Sequence, residues 1–172
     1  MPVEEQGIDL QRFQVIPRVL IFLFSEDKVL LIRGSSKKKI WANKFNGIGG
    51  HVEAVESIHA AALRELAEET GISLDWLDLC GNILIDTGVN PGIELHIFTK
   101  NLIAQTNPHS SKEGVAEWIP IAQVSELHRV EDLDALIDRA RDYVKNQTPF
   151  FGRYRYDESG QLIMEFDQAL RS

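Results

Sequence analysis

Three glutamates, Glu65, Glu68 and Glu69, follow directly on Arg64, and Gly71 comes just after them. The run from Ser57 to Glu69 contains no Gly or Pro and is rich in Ala, Leu and Glu, the best helix formers. Ser57, with Glu56 before it, suits the first turn of a helix, and Thr70-Gly71 suits a glycine stop. Side chains three and four apart share one helix face, so the three carboxylates project side by side. Their mutual repulsion and the negative end of the helix dipole both oppose this arrangement. A hard divalent cation, Mg²⁺ or Ca²⁺, would offset both costs through carboxylate oxygens. A plain solvated acidic face is the alternative reading of such a cluster.

The wider spacing decides between the two. From Gly50 the chain reads G-x5-E-x7-R-E-L-x-E-E-x-G-I, with Gly50, Glu56, Arg64, Glu65, Leu66, Glu68, Glu69, Gly71 and Ile72 at the defined positions. With average residue frequencies a chance match at a given start is on the order of one in 10⁹ to 10¹⁰. This stretch resembles the Nudix box, whose bearers hydrolyse a nucleoside diphosphate linked to a further group. The resemblance implies that Glu65, Glu68 and Glu69, with the backbone carbonyl of Gly49, hold Mg²⁺, with Mn²⁺ as the other candidate ion. It implies a glutamate general base, either Glu65 in the box or a residue on a later loop. Glu113, in S-S-K-E-G ahead of Trp118, stands where relatives place an additional metal-binding or base glutamate. Arg64 joins the catalytic group, its expected task being to pair with Glu56 and hold the helix against its loop. Gly50, Glu56, Leu66, Gly71 and Ile72 are expected to be structural.

Outside the box, F-N-G-I-G-G-H-V-E is similar to the W-N-G-x-G-G segment of the MutT-like, 8-oxo-dGTP diphosphatase branch, with Phe45 in place of the tryptophan. That resemblance implies Asn46 as a purine reader, with Glu131-Asp132 as the acidic pair completing recognition. The C-terminal P-F-F-G-R-Y-R-Y and I-M-E-F segments resemble the end of the same branch. The chain departs from it in carrying Arg129-Val130 where Trp-Pro is usual, and Glu-Asp where Asp-Asp is usual. Lys37, Lys38 and Lys39 read first as a solvated loop; the alternative is that Arg33 or one of these lysines reaches a substrate phosphate, and Arg33 is the residue assigned to it. The implied reaction takes a nucleoside triphosphate, 8-oxo-dGTP or a related purine dNTP, to the monophosphate and pyrophosphate. Two other readings stand beside it: a Nudix hydrolase of ADP-ribose or a dinucleotide, and a non-catalytic Nudix-fold regulator. The retained box carboxylates argue against the regulator. The proline that marks ADP-ribose hydrolases is missing at its usual distance, Pro91 lying further on.

The elements that must position these groups follow in order. Val15–Phe24 reads as a strand buried on both faces, with Pro17 near its start. Val29–Arg33 returns as the second arm of a hairpin. The glycines at 47, 49 and 50 read as a tight turn that also permits close approach of backbone to ligand. Leu77–Asp86, Ile93–Ala104 and Ala116–Pro120 read as strands, and Ile121–Leu127 as a helical turn or two. Glu131–Val144 has apolar residues at helical spacing. Phe150–Tyr156 and Leu162–Phe166 form a closing hairpin, the Arg/Tyr alternation of the first suiting an edge strand. The expected class is therefore α/β, a mixed sheet between helices. The Nudix resemblance sharpens this to an α/β/α sandwich spanning Val15 to Phe166, in one domain over 1–172.

Composition narrows the setting. The chain has 172 residues, 44% hydrophobic and 26% charged, with a formal net charge of −8. That balance argues against a binder of nucleic-acid polymer or anionic membrane. Cys80 is the only cysteine, which excludes an intrachain disulfide and suggests a reducing, cytoplasmic location. The expected partner is a small nucleotide; the oligomeric state is left open.

Overall fold

The computed structural model describes residues 2–37 and 39–167. Lys38 lies outside them, so its expected role has no structural counterpart here. After a 3₁₀ turn at Val3–Gln6 come β1 (Val15–Ser25), β2 (Lys28–Gly34), β3 (Phe45–Asn46), β4 (Ile48–His51) and α1 (Ile58–Thr70). Then follow β5 (Asp78–Ile85), β6 (Gly92–Asn101), β7 (Gly114–Pro120), a 3₁₀ turn at Ile121–Glu126, α2 (Leu133–Asn146), β8 (Phe150–Tyr156) and β9 (Leu162–Phe166). The strands join in one mixed sheet of order β3-β2-β1-β6-β5-β8-β9, with β4 also pairing β1 and β7 also pairing β2. The β1–β6 and β5–β8 pairs are parallel, and the others antiparallel.

β1 explains why the two helices take opposite faces. Its side chains alternate, and both sets are apolar. Leu20, Phe22 and Phe24 join the core beneath α2 with Leu133, Leu136, Ile137 and Ala140. Val19, Ile21 and Leu23 join a second core with Ala61, Ala62 and Leu66 of α1. Leu66 is fully buried there, which contributes about 1.5–3 kcal/mol. Ile72 completes the same cluster just past the helix stop. Among the described residues no helix is long and apolar enough to cross a membrane.

Three expectations need correction. The glycine-rich segment is more than a turn: Ile48–His51 is a strand forked off β1, with Gly49 opposite Leu20 and Gly50 opposite Val19. Strand β8 is interior rather than an edge, because it pairs with β5 on one side and β9 on the other. Its Tyr154 is accordingly 1% exposed, while Tyr156 is 49% exposed. Finally, α2 begins at Leu133, which leaves Glu131 and Asp132 on the approach to the helix.

Candidate active site

Helix α1 is fixed at both ends by its own sequence. Ser57 Oγ accepts the Ala60 N–H at 3.1 Å, and Gly71, at φ 72°, donates its N–H to the Ala67 carbonyl. The last turn holds no basic residue, so Glu68 and Glu69 stand at the negative end of the dipole with no cation in their own turn. Relief comes from Arg64. Its Nη2 and Nε donate to the two Glu56 oxygens at 2.6 and 3.1 Å, a bidentate pair that ties the helix to its preceding loop. Its Nη1 donates to Glu65 at 2.8 Å and Glu68 at 3.2 Å, and Nη2 also reaches the His51 carbonyl. This hold pushes the guanidinium pKa up, chiefly through Glu56, and the Glu56 carboxyl down, chiefly through Arg64.

The strand above α1 leaves no room for a side chain at Gly49, and one at Gly50 would displace the Glu65 carboxylate. A Cβ on Gly49 would stand 2.1 Å from the Val19 carbonyl oxygen, and one on Gly50 would stand 2.3 Å from Glu65 Oε1. The bare backbone lets α1 press its carboxylates against β4. Glu69, 3% exposed, accepts the Gly49 N–H at 2.9 Å. Glu65, Glu68, Glu69, Gly49 and Gly50 all line one cleft of about 1050 Å³. Among the described residues no three His, Cys, Asp or Glu side chains are already gathered as a metal centre. Instead Glu65 and Glu68 turn to Arg64. The donors nevertheless have the chemistry that Mg²⁺ or Mn²⁺ takes, hard carboxylate oxygens on one helix face.

The other end of the cleft is assembled from distant segments. Phe45 N–H donates to the His128 carbonyl at 2.9 Å, and Val130 N–H donates to the Phe45 carbonyl at 3.1 Å. This backbone bridge brings Asn46 and Glu131-Asp132 to the same cavity, which all three line. Asn46 Oδ1 accepts the Gly47 N–H, leaving its NH₂ as the group it can offer a ligand. Asp132 occupies the N-cap position of α2 yet makes no side-chain cap hydrogen bond. Burial raises its carboxyl pKa, with Glu131 adding to the effect. The buried Tyr154 hydroxyl faces Asp132 without a hydrogen bond of ordinary geometry, and burial followed by the Asp132 charge raises its pKa too. Leu20, Ile85, Ile93, Leu95 and Leu162 supply an aliphatic wall. Arg129, in the pair that replaces the Trp-Pro of the resembled branch, is turned to Asp134 by two hydrogen bonds that raise its pKa.

Glu113 also reaches this cleft, on a turn pinned by Ser35 N–H to its carbonyl and by its own N–H to Ser111 Oγ. Arg33 does not. Its Nε lies 3.4 Å from Glu117, and it lines a separate hollow of about 200 Å³. Lys37 and Lys39 are likewise absent from the lining, whose Lys and Arg members among the described residues are Arg18, Lys44, Arg64 and Lys112. Arg18, Lys44 and Trp41 escaped the sequence reading, and Tyr154 was read only as part of a packed edge strand. For Arg18 the signal was a lone charge inside an otherwise apolar strand.

A NUDIX domain family model matches residues 15–140. The oxidized purine nucleoside triphosphate hydrolase of Mus musculus is 34% identical over 106 residues, which span 61% of this chain and 66% of that protein. Among solved structures, the NUDIX domain of Shewanella oneidensis NrtR, complexed with ADP ribose, superposes with a TM-score of 0.67 at 22% identity, over 84% of this chain and 99% of that one. A MutT protein from Bacillus halodurans gives a TM-score of 0.66 at 23% identity, over 89% and 98%. The structural likenesses concern the fold alone.

Proposed function

Because this chain belongs to the NUDIX family, we propose that it is a metal-dependent pyrophosphohydrolase of nucleoside triphosphates, 8-oxo-dGTP or a related purine dNTP. The products would be the monophosphate and pyrophosphate. One observation carries the reading: a single cleft of about 1050 Å³ is lined both by the α1 carboxylates and by Asn46 with Asp132. A nucleotide laid along it would place its phosphates at the helix and its base at the distant pair. The similarity to the mouse oxidized purine nucleoside triphosphate hydrolase supports the same substrate class.

Glu65, Glu68 and Glu69 would hold Mg²⁺ or Mn²⁺, which when bound supplies charge neutralisation on the polyphosphate and acidifies water. The protein's own share is positioning and electrostatics. Glu65 or Glu113 takes the proton of the attacking water. Arg64 keeps Glu65 and the Glu56 loop in register, acting on substrate through them. At the base end Asn46 donates to a purine acceptor. Asp132, whose carboxyl pKa is raised by burial, presents that carboxyl to the base edge. Ile85, Ile93 and Leu95 exclude water from the base.

The test is pyrophosphate release with Mg²⁺ across 8-oxo-dGTP, dGTP, the other dNTPs, ADP-ribose, NADH and diadenosine polyphosphates. Preferential turnover of 8-oxo-dGTP is expected. Turnover of ADP-ribose or a dinucleotide alone would keep the carboxylate chemistry and overturn the base pocket. No turnover with either Mg²⁺ or Mn²⁺ would leave a ligand-binding regulator.

A further inference from the structure

We propose that Arg18 is a substrate-binding residue whose guanidinium receives a phosphoryl oxygen of the nucleotide. The inference rests on the nucleotide reading above and adds a contact to it. Arg18 sits on β1, the central strand, with His51 of β4 as its neighbour on one side and Leu95 of β6 on the other. It leaves the same face of the strand as Leu20, which stands opposite Gly49. The side chain therefore lies between the glycine strand above the α1 carboxylates and the aliphatic wall, and it lines the cleft they share.

Its surroundings fit neither a surface arginine nor a structural one. A surface guanidinium is fully solvated, and a buried structural one is paired. Arg18 is half-buried, its Nε is buried with no hydrogen-bond partner, and no ion pair to it occurs among the described residues. Burial lowers its pKa, so the charged form carries a desolvation cost that no ion pair among the described residues offsets. An anion in the cleft would offset it. The planar fork of an arginine matches phosphoryl oxygens, and a strand holds it in place before the ligand arrives.

The other basic groups of the cleft are poorer candidates. Arg64 is engaged with Glu56, Glu65 and Glu68. Lys44 and Lys112 stand on connecting loops. Carboxylates outnumber basic groups along the lining, so an incoming polyphosphate needs a fixed cation beyond whatever the glutamates hold. Arg18 meets that need on a strand paired along both edges.

The experiment compares wild type, Arg18→Gln and Arg18→Lys in three measurements. These are KM and kcat on the triphosphate that wild type turns over, calorimetric affinity for dGMP and for deoxyguanosine, and thermal melting. Arg18→Gln should raise KM about 10- to 100-fold with kcat within a few-fold. It should weaken dGMP binding by a similar factor while deoxyguanosine binding stays unchanged, and Arg18→Lys should restore part of the loss. The melting temperature of Arg18→Gln should equal or exceed that of wild type. Unchanged KM and dGMP affinity in Arg18→Gln, with wild type active, would overturn the Arg18 contact alone. So would an equal weakening of deoxyguanosine, which would make it a reader of base or sugar. A fall of several degrees in melting temperature alongside lost binding would assign it a structural role instead. A wild type that neither binds nor hydrolyses any nucleotide would overturn the parent reading and this contact with it. A wild type that binds without hydrolysing still lets the dGMP comparison decide on Arg18.

Discussion

At the carboxylate end of the cleft, Glu56, Arg64, Glu65, Glu68 and Glu69 all come from one loop and one helix, and Arg64 ties four of the five together. At the base end, Asn46, Asp132 and Tyr154 come from β3, the approach to α2, and β8. The first group is held by contacts local in the chain. The second is held by backbone pairing between segments far apart, such as the bridge from Phe45 to His128 and Val130. Local construction suits machinery whose mutual spacing must not vary, because a helix sets it. Construction from scattered strands suits recognition, because each wall residue can change without disturbing the others.

That contrast is open to test by substitution. The largest effect is expected from Glu68→Gln, with kcat falling about 10²- to 10³-fold while circular dichroism and melting stay near wild type. Retained activity would remove Glu68 from the set of metal-holding groups. Arg64→Ala comes next, lowering kcat/KM about 10- to 100-fold by freeing both Glu56 and Glu65. It should act on every accepted substrate alike, since it organises the carboxylate end only. A loss confined to one base would contradict the division between the two ends.

The smallest effect is expected at the base end, where Asp132→Asn should raise KM about 10-fold for the preferred base and leave kcat nearly intact. This substitution also has a stability signature. The folded Asp132 pKa is raised, so its contribution favours folding below the ordinary aspartate range and is lost as pH rises through the folded value. Asp132→Asn should therefore melt higher than wild type at pH 7, and the difference should shrink toward about pH 4. Melting curves across that interval test it. A constant difference would mean that Asp132 is not desolvated in the folded protein.

The same contrast explains what could be read from the chain beforehand. Helix α1, its Ser57 cap and its Gly71 stop were legible because each depends on residues within a turn or two. The burial of β1 on both faces was legible from its unbroken apolar run. Strand β4 was not, since Gly49 and Gly50 read as a turn until β1 is laid beside them. The interior place of β8 was hidden for the same reason: the Arg/Tyr alternation suits an edge, and only the parallel pairing with β5 makes it internal. The basic group facing the cleft was sought among the lysines at 37–39 and at Arg33, where charge is plentiful. The described lining instead includes Arg18, beside Pro17, where a charge is scarce and hence informative.

The parallel pairing of β1 with β6, from Val15↔Gly92 to Phe24↔Asn101, has a consequence for how the molecule reaches its native state. Everything between those strands, including the first hairpin's return, the glycine strand, α1 and β5, lies within the loop that this pairing closes. Closing it costs chain entropy before the central sheet can repay it, and non-local pairing of this kind slows folding. The helix with its glutamates can form early on local contacts. The cleft is complete only with the long loop shut and β8 beside β5, because its lining draws on all of these segments.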